Sequence, residues 1–401
     1  MKKFLPLIII FLTVFFLAIR NIIPYTFFTG WDNLHPEFNL LSYVKKIFFG
    51  AWANHQGLGA PAAQAQLSEI TRLPLVFILN LLLPKSLVRY VFHFVMFFLG
   101  SLGIFIYLNK YWLRLKDNFF QNLIALTGAF YYLLNINTLQ QFYISFELFI
   151  VQFAFLPFLL ISIHQLIENK KILPFILVNL LIAPSGHTPT VFYLGWIFAS
   201  LYSFFVALKN NHLIFSLKKS FLVFFLIFFL NSYWIIPNLY YTFFNNHYVI
   251  ESRANLLFNQ ESKWSIIEAG RFESLLTGIH YLFFWKDFNF QTKQYEYIFQ
   301  EWINYFNQPI IIFFLITLNL LSLFGIIYSL IDRRKNKAKL GIIFFHLIVL
   351  LFLWMGVFFP QTLINLFYSS SIIRESFRNP FTKFQIIFSF TTSVMFISAV
   401  E

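Results

Sequence analysis

Residues 220–241 read Ser220-Phe-Leu-Val-Phe-Phe-Leu-Ile-Phe-Phe-Leu230-Asn-Ser-Tyr-Trp-Ile-Ile-Pro-Asn-Leu-Tyr-Tyr241, without one charged side chain. About 20 apolar residues wound as a helix cross the hydrocarbon core of a bilayer, so this stretch predicts a membrane span. Nine more stretches have the same character: 4–25, 84–109, 119–135, 145–167, 172–186, 190–208, 308–331, 340–359 and 383–400. The fold class expected is therefore all-α, a polytopic integral membrane protein of about ten transmembrane helices. Composition agrees, because hydrophobic residues are 59% of the chain and charged residues only 11%. A soluble domain has no core large enough to bury that share of apolar surface.

The formal net charge is +13. In a soluble protein it would suggest a nucleic-acid partner. Here Lys and Arg gather in the short loops between apolar runs, as topogenic charges do, and no nucleic-acid partner is expected. Lys2 and Lys3, then Lys110, Arg114 and Lys116, then Lys170 and Lys171, then Lys209, Lys218 and Lys219, and finally the run 332–339 fall on one side of an even-numbered set of spans. That side should be the cytoplasmic one, in a cell membrane. Lys2-Lys3 ahead of the apolar run 4–19 resembles the front of a signal peptide, but no convincing small-x-small cleavage site follows, so it reads as an uncleaved first helix. With no cysteine, thiol catalysis, thiolate metal ligation and disulfides are excluded.

The alternate loops, 26–83, 136–144, 187–189, 242–307 and 360–382, then face outward. Two of them, 26–83 and 242–307, are too long to be connectors, and long segments in a compact protein usually carry function. The first opens with Gly30-Trp-Asp32-Asn-Leu-His35-Pro-Glu37-Phe-Asn-Leu40, the densest acid/base cluster in the chain. Asp32 reads as a general base, with His35 and Glu37 as supporting groups or metal ligands; the alternative for Asp32 is a cap on the next helix. Next comes Trp52-Ala-Asn-His55-Gln-Gly57-Leu-Gly59-Ala-Pro61, whose glycines and proline predict a tight turn, with Gln64 and Gln66 beyond it. Leu73–Leu83, apolar, half a membrane long and framed by Pro74 and Pro84, predicts a re-entrant or interfacial helix. The loop 242–307 sets Trp264, Trp285 and Trp302 beside Glu268, Arg271 and Glu273; interfacial helices or sugar stacking would use such aromatics.

A second polar cluster, Arg374-Glu-Ser-Phe-Arg378-Asn-Pro380-Phe-Thr-Lys383-Phe, enters the last span from the outer side. Cations there run against the charge rule and suit phosphate, with snorkelling anchors as the alternative. Glu147 lies just inside the fourth span, where a carboxylate needs a cavity or a partner, and His187 sits in an outer hairpin. His93, His164 and His346 lie within apolar spans and read as packing or helix-pairing residues.

Taken in order, Asp32 after the first span, the Trp52–Pro61 turn with Gln64 and Gln66, the proline-framed helix and the Arg378–Lys383 cluster resemble a GT-C superfamily membrane glycosyltransferase. The closest pattern is the N-terminal domain of the alpha-(1→3)-arabinofuranosyltransferases, with YfhO-type membrane proteins as near neighbours. The resemblance covers most of the chain, read as one transmembrane domain over residues 1–401, and implies transfer of a sugar, arabinofuranose in that family, from a polyprenyl-phosphate donor to a glycan or lipid-glycan acceptor of the cell envelope. It implies Asp32 as base and Arg374, Arg378 and Lys383 as phosphate ligands, with Glu147, Trp52, His55 and Gln64 around the substrate. A divalent cation, Mg or Mn, is the one cofactor such a site could use. Because the last apolar run ends at Glu401, the sequence also reads as the N-terminal portion of something longer. A transporter or flippase of lipid-linked saccharides, or a non-catalytic scaffold of the same fold, are the alternatives.

Overall fold

The computed structural model describes residues 4–29, 35–53, 60–61, 66–143, 148–209, 212–253, 256–257, 271–331, 337–377 and 380–401. Every predicted apolar stretch is helical within them. The chain runs through α1 (Leu5–Asn21), α2 (Leu40–Phe48), α3 (Leu73–Leu82), α4 (Lys85–Tyr107), α5 (Asn118–Leu134), α6 (Ile136–Tyr143) and α7 (Phe149–Asn169). It continues through α8 (Ile172–Ile182), α9 (Pro189–Leu208), α10 (Leu213–Phe244), α11 (Gln300–Phe306), α12 (Pro309–Ile331), α13 (Ala338–Leu353) and α14 (Pro380–Val400).

Among the described residues, six helices are long and apolar enough to cross a membrane: α4 with its π-helical extension to Trp112, α7, α9, α10, α12 and α14. The predicted spans at α1, α5, α8 and α13 are shorter, with 17, 17, 11 and 16 residues. At 1.5 Å per residue a 17-residue helix is about 26 Å long, short of a hydrocarbon core of about 30 Å. Local signals set these ends. The Asp117 side chain accepts from the Phe119 and Phe120 amides and caps α5. Lys170, left-handed at φ 56°, ends α7. Proline opens α9, α12 and α14, at the start of a helix where its missing N–H costs nothing.

Helices α7 and α14 form the centre. From Pro380 to Ser398 every residue of α14 except Lys383 is buried, packed by α5, α6, α7, α9, α12 and α13. Its apolar residues follow no single face, as befits a helix covered all round. Hydroxyls and amides make the cross-helix bonds: Ser389 takes Asn135 Nδ2 at 2.6 Å and shares a proton with Thr138 Oγ1 at 2.8 Å, and Gln385 donates to the Asn137 carbonyl at 2.7 Å. Two of the intramembrane histidines do pair helices, His164 with Tyr202 at 2.7 Å and His346 with Thr391 at 2.9 Å. Small residues allow close approach between α12 and α14, where a Cβ on Gly325 would run into the Met395 carbonyl. Helices α10 and α12 lie outermost and carry much of their apolar surface exposed, as lipid-facing helices do.

The loops that the charge pattern assigns to one side meet at one end of the bundle. Lys209 pairs with Glu168 at 3.1 Å, Lys337 Nζ donates to the Leu208 carbonyl at 3.2 Å, and Lys339 reaches Glu401 at 3.5 Å. At the opposite end α3 is helical as predicted, with Phe77, Ile78, Leu81 and Leu82 exposed. Two small antiparallel ladders interrupt the helical pattern. Trp52–Ala53 pairs with Ala60–Pro61, flanking the predicted turn, whose residues 54–59 lie outside the described residues. Lys286–Asn289 pairs with Gln294–Tyr297, a hairpin in the loop whose aromatics suggested interfacial helices or sugar stacking; Phe288 faces Tyr295 across it. The period-2 placement of Phe288, Phe290, Tyr295 and Tyr297 is the strand signal there.

Candidate functional site

Past α1 the chain turns at His35-Pro36-Glu37, and Asn39 caps α2 by accepting from the Ser42 amide. The turn puts Glu37 inside the protein. Its Oε1 lies 3.1 Å from His35 Nδ1 and its Oε2 lies 3.7 Å from Arg89 Nη2, with the Glu37 and Arg89 side chains each 2% exposed. Arg89 stands in the second turn of α4, at the end away from the Lys-rich loops.

A second buried cluster sits beside the first. Residues Gln66–Arg72 form a 3-10 turn packed against α2, α10 and a second 3-10 turn, Ala183–His187. Glu69, wholly buried, receives three partners from three parts of the chain. His187 Nδ1 is 2.7 Å from Oε1, while Arg72 Nη1 at 3.2 Å and the Tyr43 hydroxyl both engage Oε2. Burial alone would raise the Glu69 carboxyl, but His187, Arg72 and Tyr43 outweigh it and hold the group below the usual carboxylate range. Arg72 also lies over the Phe92 ring, 4.6 Å from its centroid. Phe92 is one helical turn from Arg89, so the two clusters share one face of α4.

Several residues singled out in the sequence fall outside the described residues: Asp32, His55, Gln64, Glu147 and Arg378. The others are placed. Glu37 and His35 belong to the first cluster. Trp52 is half-exposed on its ladder. Arg374 lies 3.8 Å from its neighbour Glu375, on the short helix Ser371–Ser376. Lys383, in the first turn of α14, lies over the Phe149 ring of α7. Arg374 and Lys383 are therefore near in sequence but hold different partners from those of the Glu37 and Glu69 clusters. Among the described residues no three of His, Asp and Glu converge as a metal site.

Glu69, Arg72, Arg89 and Tyr43 had drawn no notice in the sequence. The spacing Glu69-x-x-Arg72 is the local signal for an ion pair on one helical face, and Arg89 is a cation one turn inside an apolar run. Between α5, α6, α11, α12 and α14 lies a largely apolar groove of about 440 Å³. Asn135, Asn137 and Asn319 are among its few polar walls, and the aromatic rings of Trp302 and Tyr305 from α11 also line it.

The chain matches no protein-family model, and no curated protein or solved structure is significantly similar to it.

Proposed function

We propose that the protein is a membrane glycosyltransferase that moves a sugar from a polyprenyl-phosphate donor to a glycan or lipid-glycan acceptor on the extracytoplasmic side. One observation carries the reading: ionisable groups from residues 35–37, 69–72, 89 and 187 converge at a single end of the bundle, directly after the segment that holds Asp32. A transporter needs polar groups along a path, whereas surface chemistry needs them on one face.

In this reading Asp32 takes the proton of the acceptor hydroxyl as it attacks the anomeric carbon, with His35 and Glu37 behind it. The departing lipid phosphate is a stable anion, so no second carboxylic acid is required to protonate it. Arg374, Arg378 and Lys383 attract the phosphate, and the apolar groove beneath α11 has the dimensions for an isoprenoid segment of the donor. Arabinofuranose is the sugar the resemblance favours, and a divalent cation would assist the phosphate.

The test is transfer of radiolabelled sugar from a panel of polyprenyl-phosphate donors by purified protein in lipid nanodiscs, with and without EDTA. Transfer that is lost in Asp32→Asn with the fold intact supports the assignment. Unchanged transfer in that variant removes Asp32 from the mechanism, and movement of lipid-linked saccharide without transfer replaces the enzyme by a flippase.

A further inference from the structure

We infer that the cleft between α2 and α3 seats one anionic phospholipid, with an acyl chain against Leu40, Val44, Leu73, Pro74 and Phe77 and the phosphate at Lys45. The site is separate from the groove beneath α11 and does not depend on the glycosyl-transfer reading.

Helix α2 is held at the level where α4 begins. Glu37, two residues ahead of the Asn39 cap, reaches Arg89 in the second turn of α4, and Tyr43 of α2 bonds the buried Glu69. These contacts fix α2 at the end of the bundle opposite the lysine-rich loops. Helix α3 starts directly after Arg72, the ion-pair partner of Glu69, so the same buried cluster holds both helices. Between them lies a cleft of about 230 Å³ whose five lining side chains, Leu40, Val44, Leu73, Pro74 and Phe77, are all apolar. A polar ligand would lose its hydrogen bonds to water there and find no replacement, whereas a hydrocarbon chain loses nothing.

The surroundings identify the rest of the ligand. Phe77 is 51% exposed and belongs to the flank of α3 that carries Ile78, Leu81 and Leu82, so the cleft opens onto an apolar outer surface. Successive residues of α2 are turned by about 100°. Tyr43 and Ile47 form its buried side, Leu40 and Val44 the wall of the cleft, and Leu41 and Phe48 an exposed apolar strip beyond it. Lys45 comes next round the helix, one turn from Leu41, and Lys46 stands on the far side from the cleft. Among the described residues the Lys45 ammonium has no carboxylate partner. A cation bordering an apolar strip is the layout of an interfacial helix, and anionic lipid complements both parts of it. Once occupied, the cleft ties together the two helices that bring Tyr43 and Arg72 to Glu69.

Photo-crosslinking tests the site without any sugar donor. The full chain is placed in nanodiscs of neutral lipid doped with phosphatidylglycerol, or with phosphatidylcholine, each bearing the same diazirine-tagged acyl chain. Peptide mass spectrometry then reads the labelling of residues 40–44 and 73–77. Phosphatidylglycerol is expected to label them about fivefold more than phosphatidylcholine, the preference that one interfacial lysine supplies. The exposed flank of α10 at Phe221, Phe225 and Phe229 should be labelled equally by the two.

Lys45→Gln should bring the two lipids to parity at the cleft, and Lys46→Gln should leave the preference in place. Both lysines are exposed, so neither variant threatens the fold. Equal labelling by the two lipids in wild type, or no labelling of the cleft, overturns the proposal. So does a preference that survives Lys45→Gln, or one that Lys46→Gln abolishes.

Discussion

Replacing Arg72 by Met removes a buried cation while keeping much of its apolar stem over Phe92. In the native protein the guanidinium lies 3.2 Å from Glu69 Oε2, with the two side chains 3% and 0% exposed. At an effective dielectric of 20 this pair attracts by about 5 kcal/mol. The cost of drying Glu69 remains after the mutation, so Arg72→Met should destabilise by about 3–5 kcal/mol, the range for breaking a buried pair from one side. Unfolding by SDS in dodecyl maltoside micelles, followed by tryptophan fluorescence, reads this directly. The double variant Arg72→Met/Glu69→Gln should recover part of the loss, because neither charge is then left uncompensated. The sign of the pH effect follows from the same contacts. Glu69 is held below its ordinary 4.5, so its contribution is present above that pH and lost as pH falls through the native value. Without Arg72 that loss should begin at higher pH. A cost under about 1 kcal/mol, or a double variant as unstable as the sum of both singles, would refute the buried-pair description.

Two further outcomes can be read with the same assay. His280, buried and stacked on Phe381 at 4.4 Å, is pushed by burial from 6.5 down to about 3. The unfolded chain therefore binds a proton that the native one refuses. Stability should fall by up to about 1.4 kcal/mol per pH unit below 6.5, and His280→Phe should flatten that slope; an unchanged slope contradicts it. Gly325→Ala places a methyl against the Met395 carbonyl and should cost about 1–3 kcal/mol, since backbone rather than a flexible side chain must yield. A neutral result there would mean that α12 and α14 separate at little cost.

The helices were legible in the sequence because hydrophobic runs and proline or charge punctuation are local. Residues 119–135 and 190–208, for example, appear as Asn118–Leu134 and Pro189–Leu208. The start of α10 was read late, at 220 rather than Leu213, because Lys218 and Lys219 looked like a loop although lysine is a good helix former. The site was only half legible. His35 and Glu37 stand two residues apart and were recognised, as was the turn at His187. That Glu69 joins His187, 118 positions later, is a tertiary fact with no trace in local pattern. Arg89 was hidden for a related reason: a cation one turn inside an apolar run shows its meaning only when Glu37 arrives beside it.

Helix α3 begins at the residue after Arg72, is about 15 Å long, and buries little beyond Val76 and Leu79. Much of its flank, at Phe77, Ile78, Leu81 and Leu82, meets whatever surrounds the protein. A half-length helix of this kind floats at a depth set by acyl chains as much as by protein. It is also the handle of the turn that presents Arg72 and Glu69. The thickness of the bilayer thus becomes an input to the charged cluster, as a float sets a valve. A cost of Arg72→Met that differs between bicelles of short-chain and long-chain lipid would register this linkage; equal costs would show that the turn holds its shape unaided.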